Sequence, residues 1–135
     1  MKKVLSLVLA MILCLSCCFC ISADGIQPRW KVLSSMSSEL LNYYGIYNNA
    51  EVRCTAQCGS DKVRIDMAVT IVRWNGTAYV DTSTRWTDSG NGATNIAEKF
   101  RLGEGNYKAR TTVTLYDSDG TYIETVTAYS DDIVI

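Results

Sequence analysis

Histidine is missing from this chain altogether. Its absence removes Ser-His-Asp and Cys-His nucleophilic chemistry, the HExxH zinc site and every imidazole pH switch. Proline occurs once, at Pro28, and phenylalanine twice. Basic charge is not in excess, since 13 Lys and Arg face 14 Asp and Glu. A nucleic-acid binder needs a basic face to displace counterions from phosphates, so that class is set aside. The six cysteines look like a disulfide framework until their positions are read. Cys14, Cys17, Cys18 and Cys20 crowd into the first two dozen residues, and only Cys54 and Cys58 remain beyond them. Disulfide-dense secreted scaffolds are excluded on that count.

What is present begins with a leader. Met1-Lys2-Lys3 supplies a positive start, residues 4–21 are almost wholly apolar, and Ile21-Ser22-Ala23 gives small residues at a cut. These parts predict a signal-peptide helix over residues 1–23, cleaved after Ala23, with the product released outside the cell. Two alternatives stand beside it: an uncleaved membrane anchor, and a lipidated Cys18, because Leu15-Ser16-Cys17-Cys18 half matches a lipobox. Removing 23 of 135 residues leaves 112, a secreted domain over residues 24–135 that is too short for two independent cores. Without Lys2 and Lys3 its balance is 11 bases to 14 acids, or −3.

The body is rich in Thr, Val, Tyr and Ile and alternates with period two. In residues 50–58, Ala50, Val52, Cys54, Ala56 and Cys58 point one way and Glu51, Arg53, Thr55 and Gln57 the other. Val63, Ile65, Met67, Val69 and Ile71 form a second inner row, and Tyr107, Ala109, Thr111, Val113 and Leu115 a third. Such rows mark strands with one buried face. Asn75-Gly76 signals a two-residue hairpin, with residues 77–81 returning as a short strand and 82–87 as another. Residues 88–92, Asp-Ser-Gly-Asn-Gly, read as a loop; 94–102 are ambiguous between strand and helical turn, as are 34–41. The last long strand covers 121–129. About seven strands at these spacings predict an all-β fold, an antiparallel immunoglobulin-like β-sandwich. Gly105-Asn106-Tyr107 matches the tyrosine corner of that fold, which makes Tyr107 structural, and Trp74 is expected to pack between the sheets. Ala109 stands where an antibody domain has its second cysteine, so no inter-sheet disulfide is expected.

No constellation converges on catalysis. Cys54 and Cys58 on one strand face lie about 13 Å apart, too far for a disulfide. Two thiols without histidine cannot complete a zinc site either, so no metal and no cofactor is expected. Asp117-Ser118-Asp119-Gly120 lacks the remaining ligands of a calcium loop and reads as a hairpin. Asn75-Gly76-Thr77 fits the N-glycosylation pattern, which the hairpin explains equally well. Aromatics are the functional signal, for three tryptophans and eight tyrosines exceed what so small a core can hold. Tyr79 and Trp86, flanking a strand at a sheet edge, are the binding residues this reading selects.

The layout resembles a group of small secreted proteins of Gram-positive, mostly gut-dwelling bacteria that share a domain of unknown function. The residues that carry the likeness are Ile26-Gln27-Pro28-Arg29, a long strand ending at Trp74-Asn75-Gly76, then Trp86, Gly105-Asn106-Tyr107, Glu124 and Ser130. The resemblance implies an exported β-sandwich and brings no activity or catalytic residue with it. The resulting expectation is a non-enzymatic extracellular binding or structural module. Its partner would be a glycan, the cell wall or a protein, with no nucleic acid and no membrane span after leader removal. A small carboxylate-dependent glycan-active enzyme and a secreted effector or inhibitor are the alternatives.

Overall fold

The computed structural model describes residues 30–135. The expected signal peptide and residues 26–29 lie outside them. Eight antiparallel strands form two packed sheets: β1 (Leu33–Asn42), β2 (Ala50–Cys58), β3 (Arg64–Trp74), β4 (Tyr79–Asn91), β5 (Ala93–Phe100), β6 (Asn106–Tyr116), β7 (Tyr122–Tyr129) and β8 (Ile133–Val134). One sheet runs β1-β2-β5; the other runs β4-β3-β6-β7, with the short β8 also paired to β6. The expected β-sandwich is present, with eight strands rather than about seven because a C-terminal bridge adds one. No helix among the described residues is long and apolar enough to cross a membrane.

Alternation does the folding. In β2 the residues Ala50, Val52, Cys54, Ala56 and Cys58 are buried, and β6 alternates without a break. Ile65, Met67, Val69 and Ile71 of β3 meet them with Val113 and Leu115, closing a core to which Leu40, Ile96 and Tyr107 also belong. A sheet face pleats with period two, so burying these rows forces Arg110, Thr112 and Thr114 onto the opposite surface.

The segments that were ambiguous or misread in the sequence have identifiable causes. Residues 34–41 are strand, but the register slips between Leu33 and Ser35, so buried Leu33 and buried Leu40 fall on opposite parities. Residues 94–102 are mostly β5. The expected short strands over 77–81 and 82–87 are one strand of 13 residues, β4, entered through a four-residue turn rather than a two-residue one. There the Asn75 N–H donates to the Ala78 carbonyl, and Asn75 Oδ1 accepts from the Thr77 and Ala78 N–H groups, all near 3.0 Å. The expected loop over 88–92 is instead the end of β4 and a one-residue crossing between sheets. Gly90 pairs with Ile65, and an added Cβ there would strike the Ala93 carbonyl oxygen. Gly92, at φ 78°, donates its N–H to Val63 (2.8 Å) and accepts from Cys58 (2.9 Å). Glycine density here reflects a crowded corner, not a floppy loop.

Trp74 does not pack between the sheets. Its position is of opposite parity to Ile65–Ile71's inner row, so it lies on the outer surface, 41 % exposed. Tyr107 is buried, and Arg73 closes the corner above it, with Nη2 bonded to the Glu104 carbonyl at 2.8 Å. Cys54 and Cys58 are free and buried. The residue facing Cys54 across the sandwich is Thr111, at 3.1 Å from Oγ1 to Sγ, with Ser38 bonded to Thr111 at 2.8 Å. The N-terminal entry is pinned by Glu124, whose carboxylate accepts from the N–H groups of Lys31, Val32 and Leu33 at 3.0 to 3.3 Å.

Candidate binding site

Strand registers fix the outer face of the larger sheet row by row. Trp74 lies beside Tyr79; Val72 lies between Asp81 and Lys108; Thr70 lies between Arg85 and Arg110, with Tyr129 next. Beyond them Ala68 sits between Thr87 and Thr112, continued by Thr127, and Asp66 between Ser89 and Thr114, continued by Thr125. Arg64, Tyr116 and Tyr122 close the far end. At roughly 3.3 Å per residue, the ten steps from Trp74 to Arg64 separate the two aromatic ends by about 33 Å.

Between those ends runs an open groove of about 880 Å³. Its floor is hydroxylic: Thr70, Thr112, Thr114, Thr87, Ser83 and Ser89 line it. Arg110 grips Asp81 with two parallel bonds, Nη1–Oδ1 at 2.7 Å and Nη2–Oδ2 at 2.9 Å. That bond, with Arg85 adding to the field, holds the Asp81 carboxyl below its ordinary range and raises Arg110. At one end the Trp74 and Tyr79 rings meet at 5.2 Å, tilted by 55°, with the Lys108 ammonium 4.7 Å from the Tyr79 centroid. At the other, Arg64 covers Tyr116 at 4.4 Å.

The two residues selected from the sequence are not brought together. Both lie at a sheet edge, on the one strand β4, yet Tyr79 pairs with outward Trp74 while Trp86 pairs with core residue Val69. Trp86 is half-buried and meets Phe100 edge-on at 4.8 Å, which makes it part of the seam between the sheets. Tyr79 shares the outer face with the groove, whose lining begins one row further on at Asp81; Trp86 does not share that face. The reason lies in β4 itself. Two extra residues are accommodated opposite Ile71, where Thr82 Oγ1 donates to the Ile71 carbonyl at 2.7 Å and accepts from the Thr84 N–H. An even insertion preserves parity, so residues seven apart face opposite ways.

Arg85, Arg110, Asp81 and Thr70 were not singled out from the sequence. Alternation in β6 already aims Arg110 outward, but its pairing with Asp81 depends on the registers of β4 and β6 with β3, which leave no mark in composition. Among the described residues no group of three or more His, Cys, Asp or Glu is placed to hold a metal.

A second surface lies at the end of the sandwich that carries Trp74. The β1–β2 loop presents Tyr44, Ile46 and Tyr47 at 97, 88 and 81 % exposure. Its base is firm: Asn49 exchanges two side-chain bonds of 2.8 Å with Leu102, and Lys99 lies over the Tyr43 ring at 4.4 Å.

No family model, curated protein or solved structure matches this chain.

Proposed function

We propose that the protein is an extracellular glycan-binding module and that the outer face of the five-stranded sheet is its contact surface. The observation that carries this reading is the outward Trp74–Tyr79 pair at the end of a groove floored by hydroxyls. A pyranose ring offers C–H faces that stack on aromatics and hydroxyls that exchange bonds with Thr, Ser, Asp and Arg. The ring platform and the polar floor supply both kinds of partner. Arg110 holds the Asp81 carboxyl in its ionised form, which suits it to accept bonds from sugar hydroxyls. The leader and the resemblance to small secreted proteins support the extracellular setting.

The test is sedimentation with insoluble glycans and peptidoglycan, using Trp74→Ala/Tyr79→Ala and, as an inner-face control, Trp86→Phe. The double variant is expected to lose at least tenfold in affinity while the control binds as the parent does. Equal binding by a folded double variant overturns the assignment of the surface.

The β1–β2 loop supports a second reading, a contact with another protein. Three large side chains with almost no intramolecular cover, on a pinned base, have the composition of a protein hot spot. In that case Tyr44→Ser/Tyr47→Ser abolishes capture of a protein ligand and leaves glycan sedimentation unchanged.

A further inference from the structure

We infer that Asn75 is a self-modification site, whose side-chain amide is displaced by the Gly76 nitrogen to leave aspartate and isoaspartate in the turn between Trp74 and Tyr79.

The chain contains two Asn-Gly pairs, Asn75-Gly76 and Asn91-Gly92. A glycine after asparagine leaves the next backbone nitrogen without a side chain to shield it, on a backbone that rotates readily. The reaction needs that nitrogen free. It gives up its proton and attacks the asparagine Cγ, the Cγ–Nδ2 bond breaks, and Nδ2 takes up the proton and leaves as ammonia. A five-membered imide remains. Water then adds to one of its two carbonyls. Opening on one side restores the main chain with an aspartate; opening on the other routes the main chain through the side-chain carbon as isoaspartate. Nothing is oxidised or reduced, and water is the one co-reactant.

The fold treats the two pairs oppositely. The Gly92 N–H donates to the Val63 carbonyl at 2.8 Å, and the Gly92 carbonyl accepts from Cys58 at 2.9 Å. Asn91 is held in register with Arg64, and Asp61 Cα crowds Gly92 so closely that an added Cβ would stand 3.0 Å from it. That nitrogen is engaged, and its backbone has no room to rotate.

The turn over residues 75–78 is exposed throughout, and the space around Gly76 is open. The Gly76 N–H makes no hydrogen bond among the described residues. Asn75 Oδ1 accepts from the N–H groups of Thr77 and Ala78, each at 2.9 Å. Two donors on this oxygen polarise Cγ and stabilise the negative charge that grows there as the nitrogen attacks. Nδ2, the leaving group, is bonded to nothing among the described residues. Asn49 has the opposite arrangement, with both side-chain atoms tied to Leu102 at 2.8 Å.

The turn also sets the aromatic platform. Its bond from the Asn75 N–H to the Ala78 carbonyl, at 3.0 Å, closes the hairpin that holds the Trp74 and Tyr79 rings 5.2 Å apart. Aspartate keeps an acceptor for Thr77 and Ala78. Isoaspartate lengthens the main chain between the two rings and pulls them out of register. This consequence bears on the glycan reading; the modification itself does not depend on it.

The leaderless chain is held in warm, mildly alkaline buffer and sampled by peptide mapping, with isoaspartate labelled by protein isoaspartyl methyltransferase. Asn75 is expected to convert at least ten times faster than Asn91, at a rate that rises with pH. In concentrated urea, where the fold no longer separates them, the two rates should come within a few-fold of each other. Gly76→Ala should slow conversion of Asn75 at least tenfold. Equal rates in the folded chain, a ratio unchanged by urea, or parental kinetics in Gly76→Ala overturns the inference. The separated isoaspartyl form should lose the near-ultraviolet dichroism that Trp74→Phe also removes, and an unaltered signal refutes the effect on the platform.

Discussion

Replacing Thr111 with cysteine should turn a polar contact into a covalent strap between the sheets. Thr111 Oγ1 already lies 3.1 Å from Cys54 Sγ, and the two residues are 57 apart in sequence. In the chain-entropy model, closing a loop of that size stabilises the fold by about 4 kcal/mol. Against this stand the bonds that Thr111 makes to Ser38 and Cys54, each contributing on the order of 1 kcal/mol. A net gain of about 2–3 kcal/mol remains, or roughly 10–20 °C in melting temperature for a domain of this size. The assay is denaturant unfolding of oxidised Thr111→Cys with and without reductant, alongside thiol titration of the unfolded, unreduced chain from residue 24. One reactive thiol, that of Cys58, should titrate, against two in the parent. Three reactive thiols after mild oxidation, or an oxidised form less stable than the reduced one, would refute the packing of Cys54 against β6.

Burial disfavours a charged Glu124, but bonds from Lys31, Val32 and Leu33 outweigh that and hold its carboxyl below the ordinary glutamate range. A depressed folded pKa means that the stabilisation is complete above the unfolded value and lost as pH falls through the folded one. Glu124→Gln should therefore cost about 1–3 kcal/mol at neutral pH and flatten the acid limb of the stability curve below about pH 4, read by urea unfolding. Gly92→Ala, forced to keep a positive φ against Asp61, should lose about 1–3 kcal/mol. Gly76→Ala, at φ 97° but in open space, should lose less, and equal losses would contradict the crowded-corner account.

The strands that were legible in the sequence are those with one wet face and one dry one. Residues 50–58, 63–71 and 107–115 alternate because every second side chain meets the opposing sheet. β1 was not legible, since its slip between Leu33 and Ser35 breaks the period before a pattern forms. Trp74 was misplaced by assigning it the role of the tryptophan that packs between the sheets of an immunoglobulin-like fold, although the parity of the Ile65 row already aimed it outward. Tyr79 and Trp86 fell on two separate short strands in the sequence; the structure joins those strands into β4, and the same parity separates the two side chains in space. The ion pair of Asp81 with Arg110 joins residues 29 apart on strands that both flank β3. No pattern in one dimension contains that, because it arises from the registers of β3 with each neighbour.

The detour of β4 opposite Ile71 has an effect on crowding. A thirteen-residue border row of amides and carbonyls is a docking rail for any extended peptide that drifts past. Here two extra residues kink the rail near its middle, and the Thr82 hydroxyl fills the gap that the kink opens towards β3 by bonding the Ile71 carbonyl. An irregularity of this kind puts an added strand out of step where it passes, which is one of the ways an exposed edge is blunted against edge-to-edge pairing.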